Sequence, residues 1–168
     1  RPCVSGCLHG GCFAWVASFD VERVARLAGP HDLELSLYRP RVKEPVLIRL
    51  KVFREKEPIP LYDVLPMLEN MGLRMVSERP YVLPMAEGRM VWVQDFDMVY
   101  SGQNVLDLEQ VRRRFQEAFE YILRGVTASD GLNRLILAAN LGWRQVKVLR
   151  AYCKYLLQTG IPFSLSYM

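Results

Sequence analysis

Four stretches of this chain are predicted to be strands, the first two because apolar and polar residues alternate in them with a period of two, and no other feature limits the fold as strongly. They lie at 33–38, 46–54, 73–83 and 90–100. Side chains of a strand point alternately to its two faces, so each stretch is predicted to be a strand with one face in a core. The last two stretches are joined by the loop 84–89, in which Gly88 is free to take a positive φ, and they are expected to form an antiparallel hairpin.

Two segments with helical spacing complete this part of the chain. The segment 20–29 has Asp20 as its candidate N-cap and Gly29-Pro30 as its stop signal. A second helix is predicted to open at Asp63 and to end at Gly72. The resulting order, αββαββ, is a cyclic reordering of the ferredoxin-like βαββαβ unit. We therefore predict an α+β fold: a four-stranded antiparallel sheet with both helices on one face. The other face would be covered by C-terminal helices, another subunit or a neighbouring domain.

A three-helix segment is predicted after the sheet. Asp107 caps the first helix at 107–124, Ser129 or Asp130 caps a shorter one, and the third covers 143–158. In the third helix the predicted apolar face consists of Val146, Leu149, Tyr152, Cys153 and Leu156, and the opposite face of Arg144, Lys147, Arg150 and Lys154. The chain thus divides into a leader at 1–18, expected to be disordered, an α+β domain at 19–104 and a helical segment at 105–168.

The charge balance gives only weak support to a polyanionic partner. The net charge is +4, and the basic run Arg112 to Arg114 is followed at once by Glu117 and Glu120, which is typical of a solvated helix face. A small basic module that binds nucleic acid or protein through the basic face of the last helix stays open as the alternative function. No apolar stretch reaches 18 residues, so a membrane span is excluded and a cytoplasmic protein is expected.

The leader contains three of the four cysteines. Cys3, Cys7, His9 and Cys12 are four soft ligands that could surround a tetrahedral Zn²⁺. The compressed spacing and the missing Cys-x2-Cys knuckle make them weak candidates, and we expect no metal. Cys153 is interpreted as a small core residue.

The sequence contains no recognisable catalytic or cofactor-binding motif. It has neither a Gly-x-Gly-x-x-Gly opening a helix after a strand nor a Walker-type phosphate loop. His9 and His31 have no Ser or Cys partner in a strand-turn-helix elbow. Asp95 and Asp97 alternate on one predicted strand and could pair as acid and base or hold Mg²⁺, although the favoured interpretation is that both face solvent. No catalytic and no cofactor-binding residue is predicted.

The ends of the second helix supply candidates for a small ligand. Asp63 opens this helix, and Glu69, Asn70 and Gly72 close it. Helix ends leave N–H and C=O groups without helical partners, and these groups could hold the carboxylate and ammonium of a small amino acid. The alternative is that all four are ordinary cap and turn residues.

Five segments, in this order, carry a resemblance to a known family. They are 61–73 (Leu-Tyr-Asp-Val-Leu-Pro-Met-Leu-Glu-Asn-Met-Gly-Leu), 78–81 (Glu-Arg-Pro-Tyr), 130–135 (Asp-Gly-Leu-Asn-Arg-Leu), 141–144 (Leu-Gly-Trp-Arg) and 149–158 (Leu-Arg-Ala-Tyr-Cys-Lys-Tyr-Leu-Leu-Gln). Together they resemble the large NAD-dependent glutamate dehydrogenases of bacteria. Tyr62 stands where relatives often carry a capping Ser, so the helix cap is expected to shift to Asp63.

The resemblance implies a parent oxidoreductase of amino-acid catabolism that oxidises L-glutamate to 2-oxoglutarate and ammonia while reducing NAD⁺. In that family this region precedes the catalytic domain and corresponds to an ACT-like regulatory fold running into a helical segment. NAD would therefore bind elsewhere in the parent. The segment itself is expected to be a non-catalytic regulatory or scaffolding unit. Its expected partners are the remaining domains, further copies in a homo-oligomer and a small amino-acid effector, with no nucleic acid and no membrane.

Overall fold

The computed structural model of the 168-residue chain describes residues 13–27, 32–40, 47–55, 57–85, 88–102 and 106–159. Its strands are β1 (Leu33–Tyr38), β2 (Leu47–Glu55), β3 (Leu73–Pro84) and β4 (Met90–Tyr100). The helices of this described part are α1 (Phe13–Arg26), α2 (Leu61–Asn70), α3 (Leu108–Leu123), α4 (Leu135–Ala138) and α5 (Trp143–Gln158), with a 3-10 helix at Gly131–Arg134 before α4.

The four strands form one sheet in the order β1-β2-β4-β3, and all neighbours are antiparallel. The predicted α+β class with a four-stranded antiparallel sheet is thereby confirmed. The central pair aligns Leu50 with Phe96 and Lys51 with Asp95. Because directly opposed residues point to the same side, these two pairs define the two faces of the sheet. We call them the apolar face, which carries Leu50 and Phe96, and the charged face, which carries Lys51 and Asp95.

The apolar face is covered by α2 and α3. Leu50 and Phe96 are fully buried there against Leu68 of α2 and Phe115 of α3. Full burial of one such side chain contributes roughly 1.5–3 kcal/mol to the stability of the domain. The sequence β1-β2-α2-β3-β4-α3, with both helices on one face, is itself a cyclic reordering of the ferredoxin-like unit.

Helix α1 lies on the charged face, which corrects the prediction that the first two helices share one face. Val24 of α1 and Leu27, which directly follows the helix, pack on an apolar patch at one end of that face that consists of Phe53, Val91 and Val93. The patch therefore allows α1 to bury apolar side chains on the charged face of the sheet.

The first residues of α1 also differ from the prediction. The helix begins at Phe13 instead of at residue 20 and ends at Arg26. Asp20 is therefore not its N-cap; its carboxylate instead accepts a hydrogen bond from Lys51 Nζ at 2.5 Å. This ion pair ties α1 to β2 across the charged face.

The start of α2 also differs from the prediction. Pro60 is the N-cap and makes no side-chain hydrogen bond, and Asp63 lies exposed in the first turn without capping the helix. Proline suits this place because the first helical N–H groups have no partner in any case. Gly72 follows the helix with φ +82°, a conformation that few other residues tolerate.

The C-terminal helices are joined to the sheet by a shared core. Ile136, Leu137 and Val146 belong to the same buried cluster as Leu50 and Phe96. The predicted cap of α3 is confirmed, since Asp107 accepts hydrogen bonds from the backbone N–H groups of Glu109 at 3.1 Å and Gln110 at 3.4 Å. The domain division at residues 104 and 105 stays a prediction.

Candidate functional site

The four candidate effector residues lie at two separate ends of α2. Asp63 is in the first turn, whereas Glu69, Asn70 and Gly72 are at the C-terminal end. With a rise of 1.5 Å per residue, Asp63 and Glu69 are about 9 Å apart along the helix axis. One small amino acid therefore cannot bridge all four residues through a single α-carboxylate and ammonium.

Several polar groups at the C-terminal end of α2 already have protein partners. The N–H of Gly72 donates to the carbonyl of Glu69 at 2.9 Å, and the carbonyl of Gly72 accepts from the N–H of Ser101 at 2.9 Å. Asn70 Nδ2 donates to Ser129 Oγ at 3.0 Å. The groups left for a ligand are the exposed Glu69 carboxylate and the Asn70 side-chain oxygen.

The charged face of the sheet holds a buried group of ion pairs centred on Asp97. Asp97 Oδ1 accepts from Arg49 Nε at 2.6 Å, and Asp97 Oδ2 accepts from Arg79 at 2.6 Å and from Ser77 Oγ at 2.9 Å. All three partners come from strands next to β4, so the sheet register itself brings them together. The expectation that Asp97 faces solvent is wrong, because only 7% of the residue is exposed.

Asp95 is also buried, with 5% of its surface exposed, but it is paired less well. Its Oδ1 atom is buried and has no hydrogen-bond partner among the described residues. Burial raises the pKa of Asp95, and the nearby charges of Lys51, Arg49 and Arg79 oppose that rise. The earlier interpretation of a solvent-facing Asp95 is therefore also wrong.

Tyr38 and Lys51 border this group on the β1 side. Lys51 Nζ lies 5.9 Å from the centroid of the Tyr38 ring, within the range of a cation–π contact. Burial and the charge of Asp95 raise the pKa of Tyr38 to about 12, while a hydrogen bond to Arg49 acts in the opposite direction. The hydroxyl therefore stays protonated at neutral pH.

The group on the charged face is organised for structure more than for acid–base chemistry. Asp97 is held by two guanidiniums and a hydroxyl, and Lys51 is held by Asp20. A general base must come within hydrogen-bond reach of a substrate proton, and the carboxylates of Asp95 and Asp97 are buried, with 5% and 7% of these residues exposed. Within the described part of the chain, no group of three or more His, Cys, Asp or Glu side chains is arranged to hold a metal ion.

Sequence reasoning missed the buried role of Arg150. The guanidinium donates to Asn133 Oδ1 at 2.8 Å, to Asp130 Oδ1 at 3.0 Å, and to Thr127 Oγ1 and the carbonyl of Ala128 at 3.2 Å each. Only 6% of Arg150 is exposed. The prediction that Arg150 contributes to a basic surface is therefore wrong, and so is the predicted orientation of α5.

Helix α5 buries only two residues, Val146 and Arg150. Tyr152 and Tyr155 are 63% and 64% exposed, and Leu149 and Leu156 are exposed as well, although the sequence assigned Leu149, Tyr152 and Leu156 to the buried face. Arg144 stacks on Trp143 with its guanidinium carbon 5.0 Å from the ring centroid. Cys153 is a free, half-buried thiol.

Two further sequence predictions concern the zinc ligands of the leader and a membrane span. The weak metal candidates Cys3, Cys7, His9 and Cys12 lie outside the described residues, as does most of the predicted leader. Among the helices that the structure describes, none is both long enough and apolar enough to cross a bilayer.

Taken together, these features define an α+β domain of ferredoxin-like strand order that shares its core with a short helical segment. Models of two glutamate dehydrogenase domains match the chain: the ACT3 domain over residues 32–111 and helical motif 3 over residues 127–168. The first match begins one residue before β1 and ends in the first turn of α3.

The chain is also similar to NAD-specific glutamate dehydrogenases from three bacteria. Identity is 41% over 155 residues to the Halomonas elongata protein, 38% over 152 residues to the Pseudomonas aeruginosa protein and 37% over 113 residues to the Mycobacterium tuberculosis protein. These alignments cover 92%, 90% and 64% of this chain but only 10%, 9% and 7% of the relatives. The chain therefore belongs to the NAD-specific glutamate dehydrogenase family and spans about a tenth of the length of its first two relatives.

Proposed function

We propose that this chain is a non-catalytic regulatory and scaffolding segment of an NAD-dependent glutamate dehydrogenase. The parent reaction is the oxidation of L-glutamate with NAD⁺ and water to 2-oxoglutarate, ammonia and NADH. The observation that carries the proposal is the ordered match to an ACT3 domain and a helical motif of glutamate dehydrogenases. Catalysis and NAD binding belong to other parts of the parent, which acts in the cytoplasm in amino-acid catabolism.

The proposed architecture is an ACT-like αββαββ unit followed by a three-helix segment, divided at residues 104 and 105. The strand order β1-β2-β4-β3 supports the ACT-like part, because it is the order that a reordered ferredoxin-like unit requires. The scaffolding half of the proposal is supported by the exposed apolar residues of α5. Contiguous apolar surface of this kind is typical of protein contacts. The partners would be the remaining domains of the parent and further copies in a homo-oligomer.

The effector half of the proposal concerns a small amino acid. The candidates are Asp63, Glu69, Asn70 and Gly72, of which Glu69 and Asn70 have side-chain oxygens left for a ligand. Glu69 would accept the ammonium group, and this pairing needs no change in the fold.

A thermal melt of the 168-residue chain with a panel of free amino acids tests the effector proposal, with NAD⁺ as the control ligand. A ligand at 100 times its Kd adds about 2.7 kcal/mol to the free energy of unfolding, which is an easily measured shift. We expect a shift with at least one amino acid and none with NAD⁺. A shift with NAD⁺ would contradict the assignment of the cofactor to other domains, and no shift with any amino acid would leave only the scaffolding role.

A further inference from the structure

The second half of α5 has little support from the described part of the chain. The buried residues of this helix are Val146 and Arg150, and both lie in its first half. In the segment 151–158 no residue is buried. A helix of this length owes most of its stability to the packing of an amphipathic face. The second half of α5 therefore has a face that a further packing partner would stabilise.

An exposed apolar stripe runs along this helix. It consists of Val148, Leu149, Tyr152, Tyr155 and Leu156. At 3.6 residues per turn these five side chains fall within about 120° of the helix surface, on a different side from the buried residues. Their spacing of three and four residues makes a ridge of the kind that packs into the groove of a second helix. We call this surface the exposed stripe of α5.

The exposed stripe is flanked by positive charge. Arg144, Lys147 and Lys154 are exposed beside it and form no ion pair with the described residues. The helix itself contains no Asp or Glu. A second copy of α5 packed on the stripe would bring like charges together, whereas a helix with carboxylates beside its apolar residues would pair with them. Charge therefore favours an acidic helix over another copy.

The size of the exposed stripe indicates where such a helix would come from. A stable interface between separate proteins has about 20–30 residues a side, which is far more than this stripe offers. Two parts of one polypeptide need less surface, because their linkage gives a high effective concentration. The chain spans only 10% and 9% of the length of its first two relatives, so a parent of that size has much further sequence that could supply the helix.

We propose that the exposed stripe packs against an amphipathic helix of the parent enzyme that lies outside these 168 residues and has Asp and Glu beside its apolar face. The apolar side chains of the stripe would be buried against that face. Arg144, Lys147 and Lys154 would form ion pairs with its carboxylates. This inference rests on the proposed scaffolding function, and it gives that function a surface and a class of partner.

Photocrosslinking in the purified parent enzyme tests which segment covers the stripe. The photoreactive residue p-benzoylphenylalanine replaces Tyr155, and mass spectrometry identifies the crosslinked peptide. We expect a peptide from outside the 168 residues, with apolar residues three and four apart and Asp or Glu beside them. A crosslink to α5 of another copy would overturn the proposal, and so would the absence of any crosslink. The same group in place of Tyr62, which is exposed in the first turn of α2, is the control and should not reach that peptide.

Reversal of the flanking charges tests the acidic side of the contact. Lys147→Glu combined with Lys154→Glu is expected to lower the crosslink yield from position 155 at least fivefold. Replacement of the acidic residues of the crosslinked peptide by Lys should restore it. Arg74→Glu combined with Arg113→Glu is the control, because it changes the net charge equally at exposed arginines that form no ion pair with the described residues. An unchanged yield after reversal at 147 and 154 would contradict the acidic flank.

Three further outcomes separate this inference from its alternatives. A basic amphipathic helix can also bind anionic lipid. Cosedimentation of the parent enzyme with phosphatidylglycerol vesicles, lost when Lys147 and Lys154 are both replaced by Glu, would assign α5 to a membrane surface and overturn the proposal. If deletion of the 168 residues disrupts assembly of the parent although position 155 gives no crosslink, the scaffolding function stands and only the α5 contact is wrong. If the deletion leaves assembly unchanged, the scaffolding function itself fails.

Discussion

Buried polar residues fix elements of this domain to one another, and Arg150 is the clearest example. It makes hydrogen bonds to Thr127, Ala128, Asp130 and Asn133, and so fastens α5 to the turn before the 3-10 helix. A guanidinium suits this place because its five donors lie in one fixed plane, which a lysine cannot reproduce.

Replacement of Arg150 by Met is expected to lower the free energy of unfolding by about 3 kcal/mol, the lower end of the range for removing one partner of a buried ion pair. The lower end applies because the side chain of Asp130 is 38% exposed and can regain water. Urea denaturation measures the loss. Arg144→Met on the exposed side of the same helix is the control, and an equal loss in both variants would contradict the buried role of Arg150.

Asp95 and Asp97 form a natural comparison on the charged face. They are two residues apart on the same strand and similarly buried, yet Asp97 has three strong partners and Asp95 Oδ1 has none within the described residues. We expect Asp97→Asn to lower the free energy of unfolding by about 2 kcal/mol, which is the scale of hydrogen bonds to a charged group. Asp95→Asn should lower the free energy of unfolding by less than this at pH 7. Urea denaturation of both variants measures the difference.

The pH dependence of stability should reveal Asp95 directly. Its folded-state pKa lies above the ordinary value of 3.8, so the folded chain binds more protons than the unfolded chain in the interval above that value. The contribution of Asp95 to the free energy of unfolding therefore falls as pH rises through this interval. Relative to the parent chain, Asp95→Asn should become progressively more stable as pH rises above 3.8 through the titration of the folded-state carboxyl. A difference that does not change with pH would contradict the raised pKa.

At the scale of elements, α1 is the helix whose place the strand pattern did not indicate. It covers the charged face through Val24 and Leu27, while its Asp20 pairs with Lys51. The amphipathic pattern identified a helix here but gave no information on which face of the sheet it would cover. Two apolar patches were available, and α3, which has the longer apolar seam, lies on the apolar face.

Leu27→Ala tests whether α1 is part of the cooperative fold. Leu27 is 1% exposed, and truncation of a buried leucine costs about 2 to 5 kcal/mol through lost burial and the cavity left behind. Thermal and urea unfolding should both show the loss. Val21→Ala, at a position of α1 that is 67% exposed, should have almost no effect on the free energy of unfolding. Equal stability of the two variants would mean that α1 unfolds separately from the sheet.

At the scale of the whole molecule, the sheet and the C-terminal helices share one core. Ile136, Leu137 and Val146 pack in the same cluster as Phe96 and Phe119. A shared core couples the two parts, so they should unfold in one transition.

The fluorescence of two tryptophans can follow the unfolding of the sheet and of the C-terminal helices separately. Trp92 belongs to β4 and Trp143 to α5. Variants that keep one of these tryptophans, with the other and Trp15 replaced by Phe, should give the same urea midpoint by fluorescence. A lower urea concentration at the midpoint for the Trp143 probe than for the Trp92 probe would show that the helical segment unfolds on its own.

Local pattern alone determined the bounds of several elements of this protein. The bounds of β1, β4 and α5 agree with the sequence prediction, and the cap at Asp107 does so as well, because period and capping depend only on neighbouring residues. Tertiary structure decided which side chains are buried. Asp95, Asp97 and Arg150 look like surface residues in sequence, but their burial depends on partners 17 to 48 residues away, which no local pattern encodes.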